Sequence, residues 1–176
     1  TKKDLSIISR WVPERKCRVI ENVSPFPVQP PQPALQQPVA LAVGRLCYQK
    51  GFDRLIAAWQ RVAQQAVGWQ LHIVGDGPDR EALQQQIEAA GLAEQITLLP
   101  ATADIASHYR QASMLLMTSR YEGLPMVLIE AMSFGLPLVA FDCQTGPAEL
   151  IDDGDNGYLV AEGDLEAFSQ RTLALI

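Results

Sequence analysis

Short apolar runs alternate with amphipathic segments from Val39 to the C-terminus. The runs are continuously apolar and are bounded by glycine, proline or polar residues, as in buried strands. They predict six strands, at 39–43, 71–74, 96–99, 114–118, 137–141 and 157–160. Apolar residues at helical spacing and turn residues predict the intervening helices, at 52–66, 83–90, 103–111, 126–134, 147–151 and 164–176.

This regular strand–helix alternation predicts an α/β domain built on a doubly wound, Rossmann-like parallel sheet. Strands that are covered by helices on both faces have no polar face, which explains why the runs do not alternate. Ligands of such sheets bind outside the carboxyl ends of the strands. The loops that follow the strands are therefore the candidate binding site.

Residues 1–38 differ in composition from the rest of the chain. The apolar run in RVIENV (18–23) predicts one short strand, whereas residues 24–38 contain six prolines in 15 positions. Such a proline density prevents helix and central strand and predicts an extended linker. We therefore expect a boundary near residue 38, with the tail of a missing N-terminal domain and a linker in 1–38 and a binding domain in 39–176.

Composition narrows the range of functions. The 176 residues carry 14 basic and 20 acidic side chains, a net charge of −6, which argues against nucleic acid as a partner. The three cysteines are widely separated and only two histidines are present, so zinc and thioredoxin motifs are missing. No apolar run approaches the length of a membrane span and no signal peptide opens the sequence, and we expect reduced thiols in a cytosolic protein.

The loop after the first predicted strand has the sequence GRLCYQKG (44–51). Gly44 would allow the backbone to approach a ligand closely. Arg45 and Lys50 could together clamp a diphosphate, the former through its planar fork and the latter as a point charge. The alternative is that both are solvated surface cations.

Two further loops suggest ligands but are better explained as turns. GDGPDRE (75–81) begins like a dinucleotide-binding fingerprint, but Arg80 stands where the third glycine belongs. DDGDNG (152–157) contains Asp-x-Asp, yet it lacks the ligand spacing of a calcium loop. We therefore expect a tight turn at the first loop, a polar turn at the second, and a metal ion at neither.

The segment TSRYEGLPMVLIEAM (118–132) places two glutamates eight residues apart. Glu122 precedes a helix whose positive N-terminus it could complement. Glu130 lies within the same helix among apolar neighbours, so a buried carboxylate there needs hydrogen-bond donors. Ligand hydroxyls could supply them, or a cation inside the core could pair with Glu130.

Taken together, these loops resemble the C-terminal, donor-binding half of a GT-B-fold retaining glycosyltransferase of family 4 (glycosyl transferases group 1). The resemblance rests on VGRLCYQKG, IVGDGPDRE, SRYEGLPMVLIEAM, FDCQTGPAELI and NGYLV, which occur in this order over residues 39–176. It implies that Arg45 and Lys50 contact the donor diphosphate, that Glu122 lies near the transferred sugar, and that Glu130 binds the ribose hydroxyls. It also implies donor-binding positions in three loops, at Gly44, at Gly123, Leu124 and Pro125, and at Leu99, Pro100 and Ala101.

The resemblance further implies the chemistry. The substrate would be a nucleotide sugar, and a UDP-sugar is favoured over a GDP-sugar. Transfer would retain the anomeric configuration without a metal or other cofactor. The missing N-terminal domain would bind the acceptor, and the enzyme would act in surface-polysaccharide assembly in the cytoplasm. Peripheral association with the inner face of the membrane, through the missing domain, is compatible with this assignment. Two alternatives stay open: a nucleotide-sugar epimerase or hydrolase on the same fold, and a non-catalytic nucleotide-binding regulatory module.

Overall fold

The computed structural model describes residues 2–20, 22–29 and 37–176. The strands are β1 Val39–Val43, β2 Gln70–Val74, β3 Ile96–Leu99, β4 Met114–Met117, β5 Leu138–Asp142 and β6 Gly157–Ala161. The α-helices are α1 Lys2–Ile8, α2 Phe52–Ala63, α3 Arg80–Ala89, α4 Ile105–Gln111, α5 Met126–Ser133 and α6 Leu165–Leu173. Short 3₁₀ helices occupy Glu14–Lys16, Tyr48–Lys50 and Pro147–Glu149.

The six strands form one parallel sheet in the order β3-β2-β1-β4-β5-β6. The chain winds outward from β1 to β3 and then returns, so that β4 pairs with β1 on its other side. Leu41 of β1 consequently lies opposite both His72 and Leu115. This arrangement confirms the predicted doubly wound α/β fold and places its switch point between β1 and β4.

Apolar side chains cover both faces of the sheet, as the continuously apolar strands predict. One face packs against α2, α3 and α6, with Trp59, Phe141 and Phe168 almost wholly buried. The other face packs against α4 and α5, where Tyr109 and Phe134 are the largest buried side chains. The sheet is thus buried between two layers of helices, and its own pairing places the carboxyl ends of β1 and β4 side by side.

The prediction of a strand at 18–23 is wrong for the residues described. Residues 17–20 and 22–24 have no regular structure, because an extended apolar segment forms a stable strand only where another strand satisfies its backbone. The N-terminal segment instead meets the domain through Phe26 and through Gln29, whose backbone N–H donates to the Ser133 carbonyl over 2.7 Å. Much of the proline-rich stretch, residues 30–36, lies outside the described residues.

Candidate functional site

The loops after β1 and β4 meet at the switch point of the sheet. The Tyr48–Lys50 3₁₀ helix ends the first loop, and residues 118–125 form the second. The backbone N–H of Arg120 donates to the Gln49 carbonyl over 2.8 Å, and the Gln49 side chain donates to the Tyr121 carbonyl over 3.1 Å. These bonds join two segments that are about 70 residues apart in sequence.

The central contact between the two loops is an ion pair of Lys50 with Glu122. Lys50 Nζ lies 2.6 Å from Glu122 Oε1, and the same oxygen accepts a 2.7 Å hydrogen bond from the Ser119 hydroxyl. The Lys50 side chain is 20% exposed and that of Glu122 only 7%. In the free chain the charge of Lys50 is therefore paired with Glu122. An anionic ligand would have to share Lys50 with Glu122 or displace the carboxylate.

Gly51 allows the two loops to approach this closely. Its φ of 66° lies in the left-handed region, and a Cβ atom there would stand 2.2 Å from the Thr118 carbonyl oxygen. The Thr118 hydroxyl in turn donates to the Gly51 carbonyl over 2.9 Å. A side chain at this position would push apart the loops that carry Lys50 and Glu122.

A second ion pair supports the same loops from outside. The Arg120 guanidinium donates to both carboxylate oxygens of Asp53, over 2.8 and 2.6 Å, and to the Tyr48 carbonyl over 2.7 Å. It also lies 4.0 Å from the centre of the exposed Tyr48 ring. The hydrogen bonds from Arg120 hold the pKa of Asp53 below its usual value of 3.8. Sequence reasoning missed this support, because nothing local indicates which acid Arg120 meets.

Arg45 differs from Lys50 in being exposed. It makes no ion pair or hydrogen bond with the described residues, and its loop is held by Leu46, which is fully buried. The Gly44 backbone lies against the aliphatic stem of Lys50. A Cβ atom at Gly44 would be 3.3 Å from the carbon atoms of that stem. Arg45 is thus an exposed cation on the loop that ends at Lys50.

The start of α5 faces this region without a capping side chain. Pro125 is its N-cap residue and is buried, whereas Gly123 before it is exposed. The Thr145 hydroxyl donates a short hydrogen bond to the Glu122 carbonyl, and Thr145 has a left-handed φ of 64°, which is unusual for a β-branched residue. The uncapped helix amides and the positive helix end are suited to an anion.

Leu124 lies beside an apolar groove of about 440 Å³. The groove separates the start and outer face of α5 from the N-terminal segment. Its apolar lining residues are Val19, Ile20, Val28, Leu124, Ile129, Met132 and Leu150. Leu124 therefore lines this groove and belongs to the same loop as Glu122.

Glu130 has a phenol, not a cation, as its partner. The Tyr109 hydroxyl donates to Glu130 Oε2 over 2.7 Å, and no ion pair to Glu130 occurs among the described residues. The alternative of a buried cation pair is therefore wrong for this part of the chain. Tyr109 carries no local sequence pattern that would have linked it to a helix beyond the next strand.

Leu99, Pro100 and Ala101 lie at the end of β3, away from the switch point. The Ala101 N–H donates to Asp76 over 2.9 Å, and Arg80 binds the Leu98 carbonyl over 2.9 Å. None of the three hydrogen bonds to the side chains of Lys50 or Glu122 in the described chain. Their contact with a base therefore remains a prediction.

The glycines of GDGPDRE serve loop packing, as the expectation of a tight turn requires. A Cβ atom at Gly75 would lie 1.9 Å from the Gly44 carbonyl oxygen, and one at Gly77 would lie 2.2 Å from the Leu46 carbonyl oxygen. The loop after β2 thus packs against the loop after β1. It braces the backbone from which Arg45 projects.

Among the described residues, no group of three or more histidine, cysteine, aspartate or glutamate side chains is arranged to hold a metal ion.

Cys143 is buried near Glu122. Burial, followed by the charge of Glu122, raises the pKa of its thiol to about 11. No described helix is long and apolar enough to cross a membrane.

Comparison with known proteins decides the family. The family model described as glycosyl transferases group 1 matches residues 37–176. The chain belongs to this family. The amylovoran biosynthesis glycosyltransferase AmsD of Erwinia amylovora is 41% identical over 182 aligned residues, which cover 100% of this chain and 51% of that protein.

Solved glycosyltransferase structures share the fold. The lipopolysaccharide outer core galactosyltransferase WaaB in its apo form superposes with a TM-score of 0.82 at 32% identity, over 99% of this chain and 50% of WaaB. A mutant of S. aureus TarM, in complex with UDP among other ligands, has a TM-score of 0.81 at 26% identity, over 97% of this chain and 34% of TarM. This group 1 chain thus spans about half the length of AmsD and WaaB, and its sheet matches one part of the GT-B fold.

Proposed function

We propose that this group 1 domain binds the diphosphate and ribose of a nucleotide-sugar donor, for retaining transfer of a hexosyl-type group in the assembly of a surface polysaccharide. The observation that carries the proposal is the Lys50–Glu122 pair at the switch point between β1 and β4. Family membership and the likeness to AmsD and WaaB support a role in polysaccharide or lipopolysaccharide synthesis. The other half of the protein would bind the acceptor.

The proposed chemistry uses the charges of the site. When the bond between sugar and diphosphate breaks, negative charge grows on the departing diphosphate. Arg45, Lys50 and the uncapped start of α5 would stabilise this charge. Each preorganised group of this kind lowers the activation barrier by on the order of 3 kcal/mol. Glu122 would then be released from Lys50 and lie beside the sugar, while Gly123 and Leu124 offer backbone amides.

Two cations and a helix N-terminus suffice in principle to neutralise a diphosphate, so we propose that transfer needs no divalent metal. The base is proposed to be uracil, with UDP-sugar as donor. Support for uracil comes from TarM, whose complex contains UDP. Leu99, Pro100 and Ala101 would border the base at the end of β3.

The experiment is titration of the chain with UDP and with GDP by calorimetry at low and high salt. We expect weak, salt-sensitive binding, tighter for UDP. Replacing a charged hydrogen-bonding partner should weaken it about tenfold or more in Lys50→Gln and in Arg45→Gln. Arg61→Gln is the matched control, because Arg61 is an exposed cation in the last turn of α2. Absence of saturable binding of either nucleotide at millimolar concentration would contradict the proposal.

A further inference from the structure

Three aromatic rings pack together beside Glu130. Tyr109 of α4 stacks on Phe134, the C-cap residue that follows α5, with ring centres 5.3 Å apart and planes inclined by 17°. Phe26 of the N-terminal segment meets both rings edge-on, at 6.2 Å from Tyr109 and 5.3 Å from Phe134. Since Phe134 follows Glu130 by four residues, the cluster and the carboxylate share one side of α5.

Within this cluster the phenol of Tyr109 has Glu130 as its hydrogen-bond partner among the described residues. Its ring is fully buried, at 0% exposure, and its hydroxyl lies 2.7 Å from Glu130 Oε2. Burial and the hydrogen bond to Glu130 both raise the pKa of Tyr109, so the phenol stays protonated and donates. Glu130 Oε1 accepts no hydrogen bond from the described residues and is available for a ligand.

We propose that Tyr109 is a positioning residue, which holds the Glu130 carboxylate so that its second oxygen faces the ribose hydroxyls of the nucleotide. This inference rests on the nucleotide-binding function proposed above. A glutamate side chain loses considerable rotamer freedom when it binds a ligand, and a carboxylate that is already fixed loses less on binding. Stacking on Phe134 and the edge contact with Phe26 fix the ring that performs this task.

The test removes the phenol oxygen and keeps the ring. Tyr109→Phe and the wild-type chain are titrated with UDP and with 2′,3′-dideoxy-UDP, which lacks the hydroxyls that Glu130 would bind. We expect the affinity for UDP to fall about three- to tenfold and the affinity for the dideoxy nucleotide to stay unchanged. Tyr158→Phe is the matched control, because Tyr158 lies on β6 and its hydroxyl has no hydrogen bond in the described chain.

A double variant separates positioning from general stability. If Tyr109 acts through Glu130, adding Tyr109→Phe to Glu130→Gln should cost no further UDP affinity, whatever the change in melting temperature. An equal loss for UDP and for the dideoxy nucleotide, or no loss for either, would overturn the role of Tyr109. Absence of UDP binding by the wild-type chain would overturn the proposed function itself, and with it this inference.

Discussion

Glu122→Gln should increase the affinity of this domain for UDP, although it removes a residue of the site. In the free chain the carboxylate engages Lys50 at 2.6 Å. A phosphate oxygen bound to Lys50 at about 2.8 Å would lie at most about 5.4 Å from Glu122 Oε1, because the same nitrogen is 2.6 Å from that oxygen. At that distance two like unit charges repel by about 0.8–3 kcal/mol for effective dielectric constants of 80 to 20. We therefore expect the affinity for UDP to rise about tenfold, which corresponds to about 1.4 kcal/mol and lies within that range of energies.

The assay is calorimetric titration with UDP at low salt, at a temperature where the variant is folded. Loss of one partner from this largely buried pair should lower the free energy of unfolding by about 1–3 kcal/mol, between the values for exposed and fully buried pairs. Glu88→Gln is the control, because it changes the net charge equally at an exposed position on α3. An unchanged or lower UDP affinity in Glu122→Gln would refute the competition between Glu122 and the diphosphate for Lys50.

Three further predictions concern the framework of the site. Gly51→Ala should have a free energy of unfolding about 2 kcal/mol lower than that of Gly91→Ala in urea titrations. The two glycines share a left-handed φ, but only at Gly51 does a backbone oxygen lie 2.2 Å from the new Cβ. Equal losses of stability in the two variants would contradict this. Because the pKa of Asp53 is depressed, its bond to Arg120 stabilises the fold above pH 3.8, and this stabilisation is lost as the pH falls through the folded-state pKa. Asp53→Asn should therefore unfold with a free energy lower than that of the wild-type chain by about 1 kcal/mol or less, and this difference should close in acid. A difference in stability that is independent of pH would refute the assignment. Cys143, with a pKa of about 11, should resist iodoacetamide at pH 8 in the folded chain and react after unfolding, as peptide mass mapping would show; rapid labelling in the folded chain would contradict its burial.

The fold could be predicted because its strands are apolar throughout and its loops carry turn residues. Each of the six predicted strands is present, with bounds that differ by one residue at most. Helix ends were less predictable: α6 ends at Leu173, where the pattern extends to the C-terminus, and within the helix predicted at 147–151 only Pro147–Glu149 are helical, as a 3₁₀ turn. Such ends depend on capping and on tertiary contacts, which apolar spacing does not report.

The site was less predictable than the fold. The sequence pattern indicated Lys50 and Glu122 separately, but their contact depends on β4 returning to lie beside β1. The partner of Glu130 was also hidden, because the burial of Tyr109 arises from packing between two helices and an N-terminal segment. Long-range contacts of this kind follow from topology, which local sequence determines only indirectly.

A crystal structure of this chain with UDP would reveal directly where the nucleotide binds. In the binding mode that we propose, the diphosphate lies outside the carboxyl ends of β1 and β4, with Lys50 and Arg45 on its oxygens. The ribose hydroxyls would lie on Glu130, whose other oxygen keeps its bond to Tyr109. UDP bound elsewhere on the domain, or a diphosphate at the switch point that leaves Lys50 paired only with Glu122, would contradict it.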